Sequence, residues 1–291
     1  MYPRRRFTIP LRGGRSLVLG ERTLVMGIIN VTPDSFSDGG QLLDPNAAID
    51  AGLRMVEDGA DLLDIGGEST RPGAQPTPER EERRRILPVI EALASRAQVP
   101  ISVDTYKATT ADAALEAGAA MVNDVSGLRY EPDLASVVAK HGVPVVLMHT
   151  RGRSRDMYQQ AVYSEVVDEV LDEVRESMAF AAGAGIPKEL MLVDPGLGFA
   201  KEAPHSFEVL SRLHQFAELG RPIVIGPSRK SFLIKPLGRR DGDAGTRDWA
   251  TSAAVTAAVL CGAHIIRVHA VKELAEVIRV ADEIRKYHRD A

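Results

Sequence analysis

The sequence predicts an α/β fold in which eight parallel strands close into a (β/α)8 barrel after a short β-hairpin. Eight short, continuous apolar runs recur along the 291 residues, with helix-like segments between them. Parallel strands that are buried on both faces have such runs, whereas half-exposed strands alternate apolar and polar residues. Nearly every run ends in polar, reactive residues. Because the carboxyl ends of all eight strands of a barrel surround one mouth, the pattern predicts a single active site there.

The chain begins with a predicted hairpin at about residues 6–20, where Gly13 and Gly14 form the turn between two short apolar segments. Strand, polar loop and helix then alternate. The barrel strands are predicted at residues 24–29, 61–65, 100–104, 120–123, 143–149, 190–194, 222–226 and 264–268.

The helices between the strands have recognisable ends. Asp44 and Thr77 each supply a capping side chain directly before a proline. Several helices are predicted to stop at a glycine, as at Gly142 and Gly262, shortly before the next strand. The stretch from about 161 to 182 lacks proline and glycine and is predicted to be one long helix.

The pattern favours one undivided unit. No linker, low-complexity tract or change of composition interrupts the chain, so residues 1–291 are expected to form a single domain. A doubly wound open sheet is the alternative fold, and it normally begins with a Gly-rich dinucleotide-binding turn. No such turn follows the first strand, which favours the barrel.

Composition argues against several classes of protein. The net charge of −4, from 36 basic and 40 acidic residues, is not that of a protein that coats nucleic acid. The basic amino terminus lacks the apolar stretch of a secretory signal, and residues 249–266 fit a buried helix and strand better than a membrane span. Cys261 is the single cysteine, which excludes an internal disulfide and fits a cytoplasmic protein.

Two loops that follow strands are rich in polar groups. Residues 30–40 are dense in oxygen ligands and turn formers, and they fit either a surface loop or a lid that carries a Mg²⁺ ligand. Residues 64–73 combine glycines, which let a backbone approach a ligand closely, with Thr70 and Arg71 as donors to phosphate oxygens. The same glycines also fit a simple sharp turn.

Two further motifs lie near the carboxyl end of the chain. Residues 228–231, Ser-Arg-Lys-Ser, fail the P-loop pattern because Arg229 stands where glycine should precede the lysine. They fit a helix start that binds an anion, or plain surface charge. Arg267 and His269 are two apart at the end of the last strand and point to the same side. The chain has neither CxxC nor HExxH, which argues against a zinc site.

Asp104, Asn123 and Asp194 stand at the ends of three buried strands. Buried acceptors at such depth need a partner or solvent. A flat, polar heterocycle would satisfy them. Helix N-capping is the alternative role, because each residue lies just before a loop.

Together these motifs resemble those of the dihydropteroate synthases of the folate pathway, a family of pterin-binding TIM barrels. The matching segments run in family order over about residues 24–275. They are residues 26–40, 64–73, 102–105, 123–127, 194–199, 228–231 and 267–269. One departure is Ala270, which stands where the family often has aspartate and puts a contact to His269 in doubt.

The resemblance implies that 7,8-dihydropterin-6-ylmethyl diphosphate condenses with p-aminobenzoate to give 7,8-dihydropteroate and diphosphate. It implies Asn30 as the ligand of a Mg²⁺ cofactor, and Asp34, Asp104 and Lys230 as catalytic residues. The implied substrate-binding residues are Phe36, Thr70, Arg71, Pro72, Asp104, Asn123, Met148, Asp194, Phe199, Lys230, Ser231, Arg267 and His269. A cytoplasmic homodimer that acts on small molecules, and binds neither nucleic acid nor membrane, is the expectation for the whole protein.

The expected path is a dissociative, SN1-like substitution. Mg²⁺ and arginines would stabilise the charge on departing diphosphate, and Asp34 and Asp104 would support the cationic pterin methylene that remains. Two alternatives are a pterin-dependent methyltransferase on the same barrel and a noncatalytic pterin-binding paralogue. A methyltransferase has no need of the loops at Thr70 and Lys230, and a noncatalytic paralogue is expected to have damaged ones. Both loops are intact.

Overall fold

The centre of the molecule is a barrel of parallel strands. The computed structural model describes residues 2, 4–32, 44–71, 73–238 and 247–287. After the hairpin strands β1 (Phe7–Pro10) and β2 (Ser16–Leu19), the barrel strands are β3 (Leu24–Asn30), β4 (Leu62–Gly66), β5 (Ile101–Asp104), β6 (Met121–Asp124), β7 (Val145–Met148), β8 (Met191–Asp194), β9 (Val224–Ile225) and β10 (Ile265–Val268). Their order is β8-β7-β6-β5-β4-β3-β10-β9. A parallel bridge between Val193 and Ile223 joins the two outermost strands, so the predicted (β/α)8 barrel is confirmed.

One α-helix follows each barrel strand. The helices are α1 (Pro45–Glu57), α2 (Glu79–Arg96), α3 (Ala108–Glu116), α4 (Asp133–His141), α5 (Val166–Gly183), α6 (Ala203–Ser211), α7 (Asp248–Leu260) and α8 (Val271–Lys286). Asp44 caps α1 as predicted, because its Oδ1 accepts from the backbone N of Asn46 at 3.0 Å. Gly142 ends α4 in the left-handed conformation, with φ of 61°. Among the described residues, no helix combines the length and the apolar character that a membrane span requires.

Helix α5 begins at Val166, later than the predicted start near residue 161. The backbone amides of Ser164 and Glu165 both donate to Oε1 of Glu169, at 2.6 and 3.0 Å. This carboxylate satisfies amides that have no intrahelical acceptor, and it fixes the first turn at that point. The residues from about 161 onward that predicted an earlier start therefore lie before the helix.

Helix α2 also starts differently from the prediction. It begins at Glu79, and Thr77 makes no side-chain cap. The backbone N of Thr77 instead donates to Oε2 of Glu68 at 2.8 Å, so Thr77 belongs to the preceding loop. Glu79 and two further acids in the first turn complement the positive end of the helix dipole.

The predicted hairpin is confirmed, and it fills the end of the barrel that lies opposite the mouth. Gly13 and Gly14 both have φ of 71° in the turn, a conformation that favours glycine. Ile9 and Leu19 are fully buried. Their apolar partners come from the first half of the barrel strands: Leu24, Met26, Leu62, Met121, Val146, Leu192, Val224 and Ile265.

Strand geometry places polar residues directly above this apolar layer. Side chains two residues apart on a strand point to the same side of the sheet. The successive inward pairs include Leu62 and Asp64, Met121 and Asn123, Leu192 and Asp194, and Ile265 and Arg267. The lower half of the barrel is therefore an apolar core, and the upper half is the floor of a polar cleft.

Candidate active site

A cleft opens at the carboxyl ends of the strands. The loops after β4 and β8 and the ends of β5 to β10 contribute its lining. The lining residues are Thr70, Asp104, Asn123, Val125, Met148, Asp194, Gly196, Leu197, Phe199, Gly226, Lys230 and Arg267. Most of the substrate-binding residues predicted from the sequence thus share one cavity.

Arg267 is the centre of a buried ionic network on the floor of the cleft. Its Nε donates to Oδ2 of Asp64 and its Nη2 donates to Oδ2 of Asp104. The Nδ2 of Asn123 donates to the same Asp64 oxygen at 2.9 Å. Burial opposes the charge on Arg267, but the two carboxylates outweigh it and raise the pKa of the guanidinium. Burial raises the pKa of Asp104, and Arg267 opposes that shift.

Asp194 and Lys230 carry opposite charges, and both line the cleft. Oδ1 of Asp194 accepts from the backbone N of Gly196 at 2.7 Å, which fixes the carboxylate. Burial raises the pKa of Asp194 to about 6 and lowers the pKa of Lys230 to about 7. The Nζ of Lys230 lies 3.7 Å from the ring centroid of Phe199, within cation–π range.

His269 stands at the rim beside β3 and the loop after β9. Ser228 Oγ lies 2.9 Å from Nδ1 of His269 and accepts from its backbone N at 3.2 Å. Burial and nearby cations, chiefly Arg229, lower the pKa of His269 to about 3, so the ring is neutral. Nε2 of His269 lies 3.4 Å from Nδ2 of Asn30, and because an amide NH2 only donates, Nε2 accepts and the ring proton is on Nδ1, which donates to Oγ of Ser228. Ala270, in place of the aspartate that the family often has, had put a contact to His269 in doubt. Ser228 supplies such a contact.

The two cations that follow β9 have different environments. Lys230 lines the cleft, whereas Arg229 turns away and pairs with Asp248, with Nε–Oδ1 at 2.9 Å. The helix predicted after this motif is a short 3-10 helix, Ser231–Leu237, with Ser231 as its first residue. Anion binding by the motif remains a prediction.

The remaining predicted residues lie in the first two loops of the mouth. Thr70 lines the cleft, while Arg71 is exposed at the rim. Asp34, Phe36 and Pro72 lie outside the described residues. Their expected roles remain predictions.

The expected metal ligand is at the same rim. Asn30 ends β3, and its side-chain amide lies beside His269 through Nδ2. Within the described ranges, no three His, Cys, Asp or Glu residues gather as a metal site. Mg²⁺ commonly keeps several waters and takes one or two protein ligands together with phosphate oxygens. A single amide oxygen next to cationic side chains is compatible with an ion that a diphosphate substrate bridges.

A buried chain of polar groups behind the cleft was missed by sequence reasoning. Lys201 is 1% exposed, and its Nζ lies 2.7 Å from Nδ1 of His149. Nε2 of His149 lies 3.1 Å from Oε2 of Glu173. The same Nζ donates to the carbonyl oxygens of Gly196 and Phe199, at 3.2 and 3.1 Å. A lysine in a polar loop is normally expected in solvent, so the sequence carries no signal for this arrangement.

The fold and the cleft together are those of a barrel enzyme with its site at the carboxyl ends of the strands. Residues 26–269 match the family described as "Pterin binding enzyme". The chain is 43% identical over 279 residues to the dihydropteroate synthase of Synechocystis, covering 96% of each chain. It is 43% identical over 267 residues to that of Bacillus subtilis, covering 90% of this chain and 88% of the relative.

Solved structures agree with the sequence relatives. The Yersinia pestis dihydropteroate synthase in a sulfonamide drug complex has a TM-score of 0.90 and 39% identity, covering 96% of this chain and all of that one. The Xanthomonas albilineans enzyme with 4-aminobenzoic acid has a TM-score of 0.88 and 42% identity, covering 99% of this chain and all of that one. The chain belongs to the dihydropteroate synthase family, and the resemblance seen in its sequence is confirmed.

Proposed function

We propose that the chain condenses 7,8-dihydropterin-6-ylmethyl diphosphate with p-aminobenzoate to give 7,8-dihydropteroate and diphosphate. One observation carries the proposal: a single cleft is lined both by the polar groups of Asp104, Asn123 and Asp194 and by the cations Lys230 and Arg267. The polar groups suit a flat heterocycle and the cations suit an anion. The Xanthomonas albilineans relative has been solved with 4-aminobenzoic acid and with 7,8-dihydropteroate.

The pterin ring is proposed to lie on the floor of the cleft. Asp194 would accept two hydrogen bonds from the guanidine-like edge of the ring, and Lys230 would donate to its carbonyl oxygen and ring nitrogen. Asn123 is held by Asp64 through its Nδ2, which orients its amide for the ring. Met148 is buried to 8% exposure and gives the cleft an apolar contact.

The diphosphate is proposed to lie between Arg267 on the floor of the cleft and Thr70, Arg71 and His269 at its rim. Arg267 is fixed by Asp64 and Asp104, so it needs no reorganisation when negative charge develops on the departing group. The neutral ring of His269 would line the same part of the cleft without adding charge. Asn30 would hold Mg²⁺, which when bound neutralises charge on the leaving diphosphate.

The aminobenzoate is proposed to approach above the pterin. Phe199 and the stem of Lys230 form one wall, and the hydroxyl of Ser231 is a donor beside them. Phe36 and Pro72, which lie outside the described residues, are proposed to cover the opposite side. Its aniline nitrogen is mostly unprotonated at neutral pH, so the reaction requires no strong general base.

The proposed substitution is dissociative. Diphosphate departs first, and Asp104, together with Asp34, stabilises the cationic methylene that remains. Deuterium at that methylene should then give a normal secondary isotope effect on kcat/KM. An effect of unity would count against the mechanism.

The activity is tested by diphosphate release from both substrates in the presence of Mg²⁺. Asp194→Ala, Lys230→Ala and Arg267→Ala should remain folded by circular dichroism and lose most of their turnover. Lys140→Ala is the matched control, because this exposed lysine pairs with Asp112 on the outside of the barrel. Normal turnover in all three site variants would overturn the site assignment. Methyl transfer from methyltetrahydrofolate without diphosphate release would establish the methyltransferase alternative.

We also propose that the protein acts in the cytoplasm as a homodimer. Val280, Ile284 and Tyr287 form an apolar stripe along the outer face of α8, with 62, 48 and 80% of their surfaces exposed. Their i, i+4, i+7 spacing places them on one helix face. Light scattering should give twice the chain mass of 31.5 kDa, and Ile284→Glu should reduce it to the chain mass.

A further inference from the structure

The loop between β4 and α2 is tied to the barrel by a buried lysine that does not line the cleft. This loop carries Thr70 and Arg71, which the proposed function places beside the diphosphate. Lys107 lies just before α3 and is only 5% exposed. Its Nζ contacts Oε2 of Glu68 at 2.6 Å and Oε2 of Glu82 at 2.5 Å.

Lys107 also holds the far end of the loop. Its Nζ donates to the carbonyl oxygen of Thr77 at 2.6 Å, so three acceptors surround the three protons of the ammonium. Oε2 of Glu68 accepts from the backbone N of Thr77 at 2.8 Å, and Oε1 accepts from the hydroxyl of Tyr106 at 3.0 Å. Both ends of the loop, residue 68 and residue 77, are therefore fastened to one buried nitrogen.

The start of the loop packs against α2 without spare room. A Cβ at Gly67 would lie 2.8 Å from Cγ2 of Ile86 and 2.9 Å from Cγ of Glu82. The carbonyl oxygen of Gly67 accepts from Nη1 of Arg85 at 3.0 Å. This packing fixes where the loop begins, and the Lys107 contacts fix where it ends, so Thr70 and Arg71 are held between two anchored points.

Lys107 carries its full charge in this setting. Burial alone would lower its pKa, but the hydrogen bonds to Glu68 and Glu82 outweigh burial, and the pKa lies above its usual value. A buried ion pair is weak support for stability as such, because desolvation offsets much of the attraction. The arrangement instead gives a defined geometry to the loop between β4 and α2, whose described residues form no strand or helix.

We propose that Lys107 is a positioning residue that sets the conformation of the Thr70–Arg71 loop and thereby the affinity for the diphosphate group, not for the pterin ring. This inference rests on the proposed function, since that function assigns diphosphate to the loop. Lys107 is separated from the substrate by Glu68 and acts through it. Misplacing a binding loop by about 1 Å can cost a large factor in affinity or rate, whereas the pterin floor is built on strands that Lys107 does not hold.

The test is the double variant Lys107→Met, Glu82→Gln, which removes one positive and one negative charge together. Calorimetry would measure two ligands on each protein: inorganic diphosphate with Mg²⁺, and 6-hydroxymethyl-7,8-dihydropterin, which lacks diphosphate. Diphosphate affinity should fall by at least about tenfold, and affinity for the pterin alcohol should stay within about twofold of wild type. Lys140→Met, the control on the outer surface, should change neither.

Equal losses for the two ligands, or an unchanged diphosphate affinity, would overturn the inference. A wild-type chain that binds no diphosphate would overturn the proposed function and this inference with it. If the double variant does not fold, Tyr106→Phe removes only the hydroxyl that donates to Glu68. It should weaken diphosphate binding by about threefold with pterin affinity unchanged, and the same two contrary outcomes apply.

Discussion

At the scale of single residues, the cleft holds two groups of opposite charge, Asp194 and Lys230. Burial disfavours the charged form of both. The pKa of Asp194 is raised to about 6 and the pKa of Lys230 is lowered to about 7, in both cases mainly by burial. A ligand that hydrogen-bonds to both would offset this loss of solvation. The cleft thus suits a heterocycle with both donors and acceptors on its edges.

The raised pKa of Asp194 predicts how pterin affinity depends on pH. Only the ionised carboxylate accepts two hydrogen bonds from the ring edge, so the protonated form must lose its proton on binding. Affinity for 6-hydroxymethyl-7,8-dihydropterin should therefore fall as pH is lowered through about 6. Calorimetry between pH 5 and 8 checks this. Asp194→Asn should bind weakly at every pH, and a flat wild-type profile from pH 5 to 7 would contradict the prediction.

Asp64 is predicted to matter although it does not line the cleft. It is fully buried and its Oδ2 accepts from both Arg267 and Asn123. In Asp64→Asn the side-chain oxygen can keep both hydrogen bonds, but the negative charge that pairs with Arg267 is lost, and a hydrogen bond between charged groups is worth about 1.5–3 kcal/mol. We expect kcat/KM to fall about 10- to 100-fold with the fold retained.

Asp61→Asn is the comparison for that variant. Asp61 pairs with Arg22 at the other end of the barrel and should leave kcat/KM unchanged. Wild-type kcat/KM in Asp64→Asn would show that Arg267 needs only Asp104 to be held.

Residue identity at strand ends could be predicted from the sequence, but the partners of those residues could not. Asp104, Asn123 and Asp194 each follow a continuous apolar run, and periodicity alone brings them to one mouth. The contacts of Arg267 to Asp64, 203 residues away, and of Lys201 to His149 depend on tertiary packing. Lys107 gave no signal either, since a lysine is assumed to be solvated unless its acceptors are known.

At the scale of elements, the loop that follows β8 shows how the cleft wall is shaped. Gly196 has φ of 69°, and a Cβ there would lie 2.0 Å from the carbonyl oxygen of His149, so only glycine fits. Lys201 fills the space beneath the loop and donates to the carbonyl oxygens of Gly196 and Phe199. The position of Phe199, which faces Lys230, therefore depends on a lysine that lies behind it.

Lys201→Met should loosen this wall. The substitution keeps most of the side-chain volume but leaves two carbonyl oxygens and Nδ1 of His149 without their donor, and buried unsatisfied groups cost about 1–3 kcal/mol. We expect the KM for the pterin substrate to rise about tenfold while the fraction of active protein, from active-site titration, is unchanged. A lower active fraction with unchanged KM would instead indicate that Lys201 only supports folding.

Element boundaries were predicted well where the local signal is strong. Continuous apolar runs located each of the barrel strands to within a few residues, and Asp44 marked the start of α1. The starts of α2 and α5 differ from the prediction because carboxylates hold the segment before each helix: Glu68 accepts from the amide of Thr77, and Glu169, within α5, accepts from the amide of Ser164. Short-range propensity cannot anticipate such competition.

At the scale of the whole molecule, one end of the barrel is an apolar core and the other end is the cleft. The hairpin and the lower strand halves form an apolar plug around Ile9, Leu19 and Met26. The upper halves form the cleft. Because none of the plug residues lines the cleft, stability and catalysis should respond independently to substitutions at the two ends.

Ile9→Ala tests this separation. Ile9 is fully buried, and replacing such a residue by alanine costs about 2–5 kcal/mol of the free energy of unfolding. Denaturant unfolding should show this loss, while kcat/KM at a temperature where the variant is folded should equal that of the wild type. A comparable fall in kcat/KM would mean that the plug shapes the cleft.

The pairing of β3 with β10 has a consequence for how the chain is made. Leu24 pairs with Ile265, so the first barrel strand acquires its second neighbour only from the last. Asp282, near the end of α8, also accepts hydrogen bonds from Arg4 and from Thr23, which precedes β3. During synthesis on the ribosome, β3 and the segment before it therefore cannot complete these contacts until nearly all later residues have emerged.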